Sequence, residues 1–531
     1  MKAFTIFFIT ALLATLLLPA GSAAALTGET SIFVNTFIDE YDLSPNYYCS
    51  LREAITAAVT NAAFGGCTGG VSGENTIIYL PSGPYDLTRV GIDDTNANGD
   101  LDIIDSLDGG EVITIDGIGV TYPTIDGNSL DRIFDLNVYA TVHLVDLSVT
   151  YGQSQVSDSR SGWGGGIYNE GYLSLQNVTV SRNISGRDDV STRGGGIYNA
   201  GDLYIYDSRV QFNHTLSGIS GDSSEGGGGI YNDNNLTIVR SDIYSNWTGD
   251  SGTTGVSTAS GGDGGGIYNT GDLELITVYV GLNKTGRSSA QGHGGYGGGI
   301  FNSGMAEIYS STFYNNVTGE GTLLAGGNGG AISNNGTLYI QNSTFSLNGT
   351  GRGATGLNTG QGGDGGGVYS TGTVQIYLST IADNWAGIGT PNGNGGGVYI
   401  TTGATKIMEG TIVANNSSSN TSPDCYAFLD NPRYNLIENA TNCAFQGTPV
   451  GNITGQDPRL SDLVSFDNYS DGYLLTRGSP AIDKVLSCSI TTDQRGVSRP
   501  IDGDLNGSAV CDIGSIEMGK PFFLPLLRIP W

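Results

Sequence analysis

Eight times between Gly164 and Asn415 the chain restates one pattern: a glycine-rich triplet, a β-branched residue, usually a tyrosine, then a short alternating run closed by asparagine. The pattern reads GGGIYN at 164–169, 194–199, 227–232 and 264–269, then GGGIFN at 297–302, GGAISN at 329–334, GGGVYS at 365–370 and GGGVYI at 395–400. Repetition at this period means stacked coils, because one short unit cannot bury an apolar face until its neighbours cover it. The β-branched residues are Ile167, Ile197, Ile230, Ile267, Ile300, Ile332, Val368 and Val398. The closing asparagines are Asn183, Asn213, Asn246, Asn283, Asn316, Asn348, Asn384 and Asn415. From β-branched residue to asparagine the count is 16 in seven repeats and 17 in the last, whereas the way back varies from 14 to 21. Each coil therefore has a rigid half and an elastic half, and length change is confined to one edge.

The rigid half has strand chemistry. Leu203-x-Ile205 and Ser208-x-Val210, like Leu338-x-Ile340 and Ser343-x-Phe345, alternate at period two, so one face is buried and the other wet. Glycine triplets and β-branched runs are poor helix formers, which excludes helical repeats of similar length. Asparagine at the closing corner can donate and accept along the stack as a side-chain ladder, and it tolerates tight left-handed corners. These features predict an all-β chain: a single right-handed parallel β-helix, the usual hand of parallel crossovers. A short N-terminal capping helix and a disulfide-containing C-terminal cap would close its ends. Ser50 and Glu53 have capping-box spacing before a stripe of Leu51, Ala54, Ile55 and Ala58, which identifies the helix.

The organisation expected is a signal peptide over 1–25, an N-terminal cap and first coils over 26–110, and β-helix repeats over 111–415. A C-terminal cap follows over 416–518, then an apolar tail over 519–531. Lys2, the apolar run Phe4–Leu18 and the small residues Ala23–Ala25 have the form of a secretory leader. The six cysteines fall in adjacent pairs, predicting disulfides Cys49–Cys67, Cys425–Cys443 and Cys488–Cys511 in an oxidising compartment. The net charge of −29 argues against nucleic acid as a partner, since phosphate binding needs clustered cations. The tail is too short for a membrane span after leader removal. The location expected is secreted, or on the cell surface or envelope.

Three segments carry a resemblance. CSLREAI at 49–55 resembles the signature of the CSLREA N-terminal domain. The GGGIYN and GGAI repeats, with Phe313-x-x-Asn316 and Phe345-x-x-Asn348, resemble those of polymorphic outer membrane proteins. GSPAID at 478–483, TDQRG at 492–496, Arg499-Pro500 and CDIGSIE at 511–517 are similar to the choice-of-anchor Q domain. The resemblance implies a bacterial surface or secreted β-helix protein without an assigned chemistry. Nothing after 416 reads as a series of barrel strands, and FFLPLLRIPW lacks a threonine-glycine sorting pattern.

Asp94, Asn96, Asn98, Asp100, Asp102 and Asp105, with Gly99 at the turn, follow the spacing of a calcium loop; the alternative is an acidic β-turn. Calcium is the one ion the sequence suggests, and no cofactor is required. Asp502-x-Asp504-x-Asn506-Gly507 repeats the first half of the same template. Tyr168, Tyr198, Tyr231, Tyr268, Phe301, Tyr369 and Tyr399 form an aromatic stripe that alternation turns outward. It suits either stacking of sugars or a partner protein, or, as the favoured reading, packing between coils. Trp247 and Trp385 follow ladder asparagines on the variable edge and are sugar-platform candidates. Arg187, Arg287 and Arg352 recur in the loops, where solvated turns explain them. Many Asn-x-Ser/Thr triplets coincide with ladder asparagines, so buried corners explain them better than glycan acceptors. Asp493, Arg495, Arg499, Asp512 and Glu517 read as salt bridges that order the C-terminal cap.

The function these features favour is a non-catalytic extracellular or cell-surface protein. It would contact a polysaccharide, matrix or surface protein through variable edge loops. The alternative is a polysaccharide lyase or glycoside hydrolase, which should interrupt the repeat with clustered charged residues on adjacent coils. No such interruption is visible in the repeat itself. A structural envelope component is a third option.

Overall fold

The structure, a computed structural model, describes residues 28–519 apart from 92, 94, 105–110, 156–161, 187–191, 219–225, 252–258, 289–291, 356–358, 402–404, 467–469 and 489. The expected leader at 1–25 and nearly all of the tail therefore lie outside the described residues.

Among the described residues the chain winds into three parallel sheets of 12, 12 and 13 strands, and successive turns add one strand to each sheet. The first sheet is built of mostly five-residue strands such as Asp202–Tyr206 and Thr337–Gln341, the second of the triplets that follow the glycines, such as Ile197–Asn199, and the third of triplets such as Thr312–Tyr314. Register is exact across coils: Ile167 pairs with Ile197, Ile197 with Ile230, and Ile230 with Ile267. The fold is a parallel β-helix, as the repeat predicts.

Inward positions form continuous columns. Ile167, Ile197, Ile230, Ile267, Ile300 and Ile332 make one, and Ile205, Ile238, Leu275, Ile308, Ile340 and Ile376 another, all fully buried. Burial of each such side chain contributes about 1.5–3 kcal/mol, an upper figure because an unfolded chain is already partly collapsed. Phe313 and Phe345 stack in the third column with ring centroids 4.7 Å apart, the spacing of the coils themselves.

The helix Leu51–Val59 starts as expected. The Glu53 N–H donates to Ser50 Oγ, and the Ser50 N–H donates back to a Glu53 carboxylate oxygen at 3.1 Å. Leu51, Ala54, Ile55 and Ala58 are buried against the first strands, so the helix covers apolar surface that the end of the stack would otherwise leave open.

The C-terminal region differs from expectation in two ways: the coils run on, and the remainder covers a flank and not the end of the stack. Coils continue past 415: Cys425–Asp430, Leu436–Ile437, Cys443–Gln446 and Ile453–Thr454 extend the second and third sheets. Cys425 itself takes the inward position of Val398, so one disulfide lies within the stack. The remainder, with its hairpin Leu460–Ser465 and Asp471–Leu475, packs along the flank of the third sheet. Gln494 bonds Thr344 and Thr312, Ser515 bonds Thr380, and Tyr473 bonds Ser346 and Asp383. All three expected disulfides form.

Candidate functional site

The asparagine ladder is present and its last rung is displaced. Each Nδ2 donates to the next Oδ1: Asn183 to Asn213 at 3.0 Å, Asn213 to Asn246 and Asn246 to Asn283 at 3.1 Å, and onward through Asn316, Asn348 and Asn384. Asn384 then donates to Asn416, not Asn415, at 2.9 Å. Asn415 is exposed and occupies the left-handed corner (φ 57°) that Asn315 or Asp383 fills one residue before earlier rungs. The expectation for Asn415 is corrected by one residue, because the last coil is longer than the others in its rigid half.

A second ladder runs down the other side of the coil through the asparagines of the repeated triplets. Asn169, Asn199, Asn232, Asn269 and Asn302 each donate to the next rung at 2.7 Å, ending on Asn334 and Ser370. The spacing from β-branched residue to closing asparagine does not mark it, although the residue recurs in each GGGIYN.

The aromatic stripe is a stack. Tyr168, Tyr198, Tyr231, Tyr268 and Phe301 sit with adjacent centroids 4.7–5.5 Å apart, Ser333 interrupts, and Tyr369, Tyr399 and Tyr426 resume. Neighbouring rings occupy one another's faces, and Trp163 and Ala200 pack against the Tyr168–Tyr231 cluster. The coil repeat matches the stacking distance of aromatic rings, so the stripe is packing between coils and offers no open ring faces to a sugar.

Of the calcium template, Asp94 and Asp105 lie outside the described residues. The others turn to protein partners. Asn96 exchanges bonds with the backbone of Asp102, Asn98 donates to Asp93, and Asp100 meets Arg132 at 2.9 Å. Asp100, Asp102 and Asp135 gather around this fully buried guanidinium, which supplies the positive charge a cation would bring. Burial pushes the Asp100 carboxyl well above its usual range, although Arg132 opposes the shift. Arg52, from the CSLREA-like segment, locks the same loop by donating to the carbonyls of Asn96, Gly99 and Asp100 while pairing with Asp39. The described residues of the template form an acidic turn closed by two arginines, in which carboxylate oxygens of Asp100, Asp102 and Asp135 lie within 4.8 Å of one another. Asp502 and Asp504 likewise accept from the backbone of their own turn.

The C-terminal charged set orders the flank, as read. Arg499 is buried against Glu517 at 2.9 Å and donates to two carbonyls, and Arg495 pairs with Asp493.

On the elastic edge the recurring loop arginines Arg287 and Arg352 belong with Trp385 to one arrangement. After Asn246, Asn283, Asn316 and Asn348 the chain runs X-Thr-Gly-Z, as in Lys284-Thr285-Gly286-Arg287, Val317-Thr318-Gly319-Glu320 and Gly349-Thr350-Gly351-Arg352. Each threonine hydroxyl donates to a glycine carbonyl on the returning strand and accepts the glycine N–H of the next coil. Thr318 bonds Gly327 O at 2.6 Å and Gly351 N at 2.8 Å, and Thr350 bonds Gly363 O at 2.6 Å and Gly387 N at 2.7 Å. These staples fix the loop roots whether the loop is short, as between Gly286 and Gly295, or long, as between Gly249 and Gly262. They also give the Asn-x-Thr triplets a structural cause. Glycine between X and Z is required, because a Cβ on Gly319 or Gly351 would fall on the backbone of the preceding coil.

A glycine strip between two columns of side chains makes a trench. It encloses about 480 Å³ and is lined by Lys284 on one wall, by Arg287, Glu320 and Arg352 on the other, and by Trp385 and Ser417–Ser419 further along. The X residues are in contiguous parallel register from His214 to Ser417. The Trp385 indole lies over Gly349, where any side chain would displace it. Upstream, His214 stacks on Trp247 with centroids 4.4 Å apart, and burial lowers its pKa to about 4, so it adds no charge at neutral pH. Hydrolysis of glycosides by the usual route needs two carboxylates flanking the bond. Among the described residues lining the trench, Glu320 is the one carboxylate, and Arg287 already pairs with it at 3.6 Å.

No family model matches the chain, and no curated protein does. Among solved structures, a crystal structure of pectate lyase Pel9A is similar in chain path, with a TM-score of 0.37 and 12% identity over 84% of this chain and 88% of that one. A likeness at that level says nothing about substrate or chemistry.

Proposed function

We propose that the protein is an extracellular, non-catalytic β-helical rod that holds a polysaccharide in the trench on its loop edge. The observation that carries this reading is the lining: an indole beside hydroxyls and long polar side chains, on a backbone floor held by threonine staples. Sugars are bound by aromatic faces combined with a few placed hydrogen-bonding groups. Three disulfides suit an oxidising exterior. The terminal segments that resemble CSLREA and choice-of-anchor Q domains are built as structural locks around Arg52 and Arg499, and they support placing the chain among bacterial envelope or secreted β-helix proteins.

A glycan array with parallel turnover assays on the bound polymers tests the reading. Binding without release of new chain ends is the expected outcome, with Trp385→Ala weakening it roughly tenfold. Turnover by the wild-type protein, or binding unchanged in Trp385→Ala, would refute it.

A further inference from the structure

Resting on the glycan reading of the trench, we infer that its ligand is an acidic polysaccharide, a polymer of uronic acids whose carboxylates are held by Arg287, Arg352 and Lys284. The chain carries 51 Asp and Glu against 22 Lys and Arg, yet three cations and one carboxylate line this single groove. The buried arginines Arg52, Arg132 and Arg499 each pair with an aspartate or glutamate, as do Arg209, Arg240 and Arg495, while Arg182 lies over the rings of Tyr151 and Phe212. In the trench, neither Lys284 nor Arg352 forms an ion pair among the described residues. Arg287 has only Glu320, at 3.6 Å, and both side chains are about half exposed. Exposed pairs of this kind are weak and open to exchange, so an incoming carboxylate can displace Glu320.

The geometry asks for a polymer. Arg287 and Arg352 occupy the same column two coils apart, about 10 Å along the axis at the usual strand spacing. Lys284 stands across the glycine strip, and Trp385 lies one coil beyond Arg352. A ligand that meets all four must run along the rod and repeat its charge. The planar fork of each arginine matches the two oxygens of a carboxylate. The net charge of −29 repels polyanions at long range, so selection of a carboxylate polymer has to come from close contact with these three cations.

Titration calorimetry on the full chain decides the matter. The probes are oligogalacturonates of increasing length, the same oligomers methyl-esterified, a neutral glucan oligomer and a sulfated glucan. Affinity should rise with length, fall at least tenfold on esterification and weaken at high salt. Arg352→Gln should lower it about fivefold, and Glu320→Gln should raise it about threefold, which no merely structural role for Glu320 would produce. The substituted side chains of Glu320 and Arg352 are solvent-accessible, and circular dichroism is the check that the variants fold. Equal binding of free and esterified oligomers, with no gain in Glu320→Gln, would overturn carboxylate selection while leaving the glycan reading in place. Preference for the sulfated glucan would overturn it in favour of polyanions in general. Absence of binding to every probe would sink the glycan reading itself.

Discussion

Replacing Asn416 by alanine should open the last rung of the ladder, whereas replacing Asn415 by glycine should change almost nothing. Asn416 is buried. Its Nδ2 donates to Ile381 O, Ala414 O and Asp424 Oδ1, each at 2.9 Å, and its Oδ1 accepts both the backbone and the side-chain amide of Asn384 at 2.9 Å. Truncation leaves the buried Asn384 N–H with no other acceptor among the described residues, which costs about 1–3 kcal/mol. The lost side-chain bonds add roughly 1 kcal/mol for each partner that water cannot reach, for a total of about 3–5 kcal/mol. Asn415 is exposed, its N–H keeps its bond to Glu438, and glycine accepts the left-handed corner, so the change stays within about 0.5 kcal/mol. A solenoid opens locally, which makes amide hydrogen exchange the right assay. Exchange at residue 384 should accelerate roughly a thousandfold in Asn416→Ala and stay unchanged in Asn415→Gly. Equal effects, or the reverse order, would return the rung to Asn415 and refute the register.

Arg499→Met should destabilise the C-terminal flank by about 3–5 kcal/mol, because Glu517 would keep a buried charge without its partner; limited proteolysis beyond residue 455 reports it. Burial raises the carboxyls of Asp364 and Asp424 to about 6 and that of Asp512 to about 7. The native state therefore binds more protons than the unfolded chain between pH 4 and 7, so this contribution is complete near pH 4 and is lost as pH rises through 6 to 7. Melting temperature should accordingly increase on acidification from pH 7.5 to 5, and a flat or falling profile would contradict these assignments. Calcium should produce no saturable stabilisation, since Arg52 and Arg132 already close the loop around Asp100; a saturable rise in melting temperature would show that the loop binds the ion.

Much of the scaffold was legible because it depends on strict periodicity. Seven ladder rungs, the inward β-branched column, the capping box of Ser50 and Glu53 and the disulfide pairs all rest on spacings that a single strand of text displays. The eighth rung failed because Asn415-Asn416 offers two equal candidates in the sequence, and the bonds of Asn416 to Asn384 and to Asp424 on neighbouring coils separate them. The direction of the C-terminal region was hidden for a related reason. Its anchoring bonds, such as Gln494 to Thr344 and Ser515 to Thr380, span well over a hundred residues and leave no local pattern. The aromatic stripe was placed correctly, but alternation alone does not say whether neighbouring rings share their faces or present them.

Trp385, Arg287 and Arg352 were visible singly, but their assembly into a trench escaped for a deeper reason, which also identifies it as the part of the edge free to serve function. In X-Thr-Gly-Z the threonine is a buried staple and the glycine a close approach of two backbones, so the fold dictates both. It dictates little at X and Z. The X column reads His214, Trp247, Lys284, Val317, Gly349, Trp385 and Ser417, and the Z column Asp250, Arg287, Glu320, Arg352 and Ile388, while the inward columns stay apolar, with Ala306, Met408 and Cys425 among mostly β-branched, leucine and phenylalanine residues. A search for repetition discards such variable positions as loop noise, although chemistry can accumulate only where the scaffold leaves the residue open. The separation has a measurable consequence. Serine at both Arg287 and Arg352 should leave the melting temperature within error of wild type, because exposed side chains of this kind contribute within about 0.5 kcal/mol. Valine at Thr318, with nearly the same shape, should lower stability by about 2–4 kcal/mol by stranding the Gly351 N–H and the Gly327 carbonyl. If the arginine pair proved as costly as the threonine, X and Z would belong to the scaffold, and the trench would lose its claim to be a site.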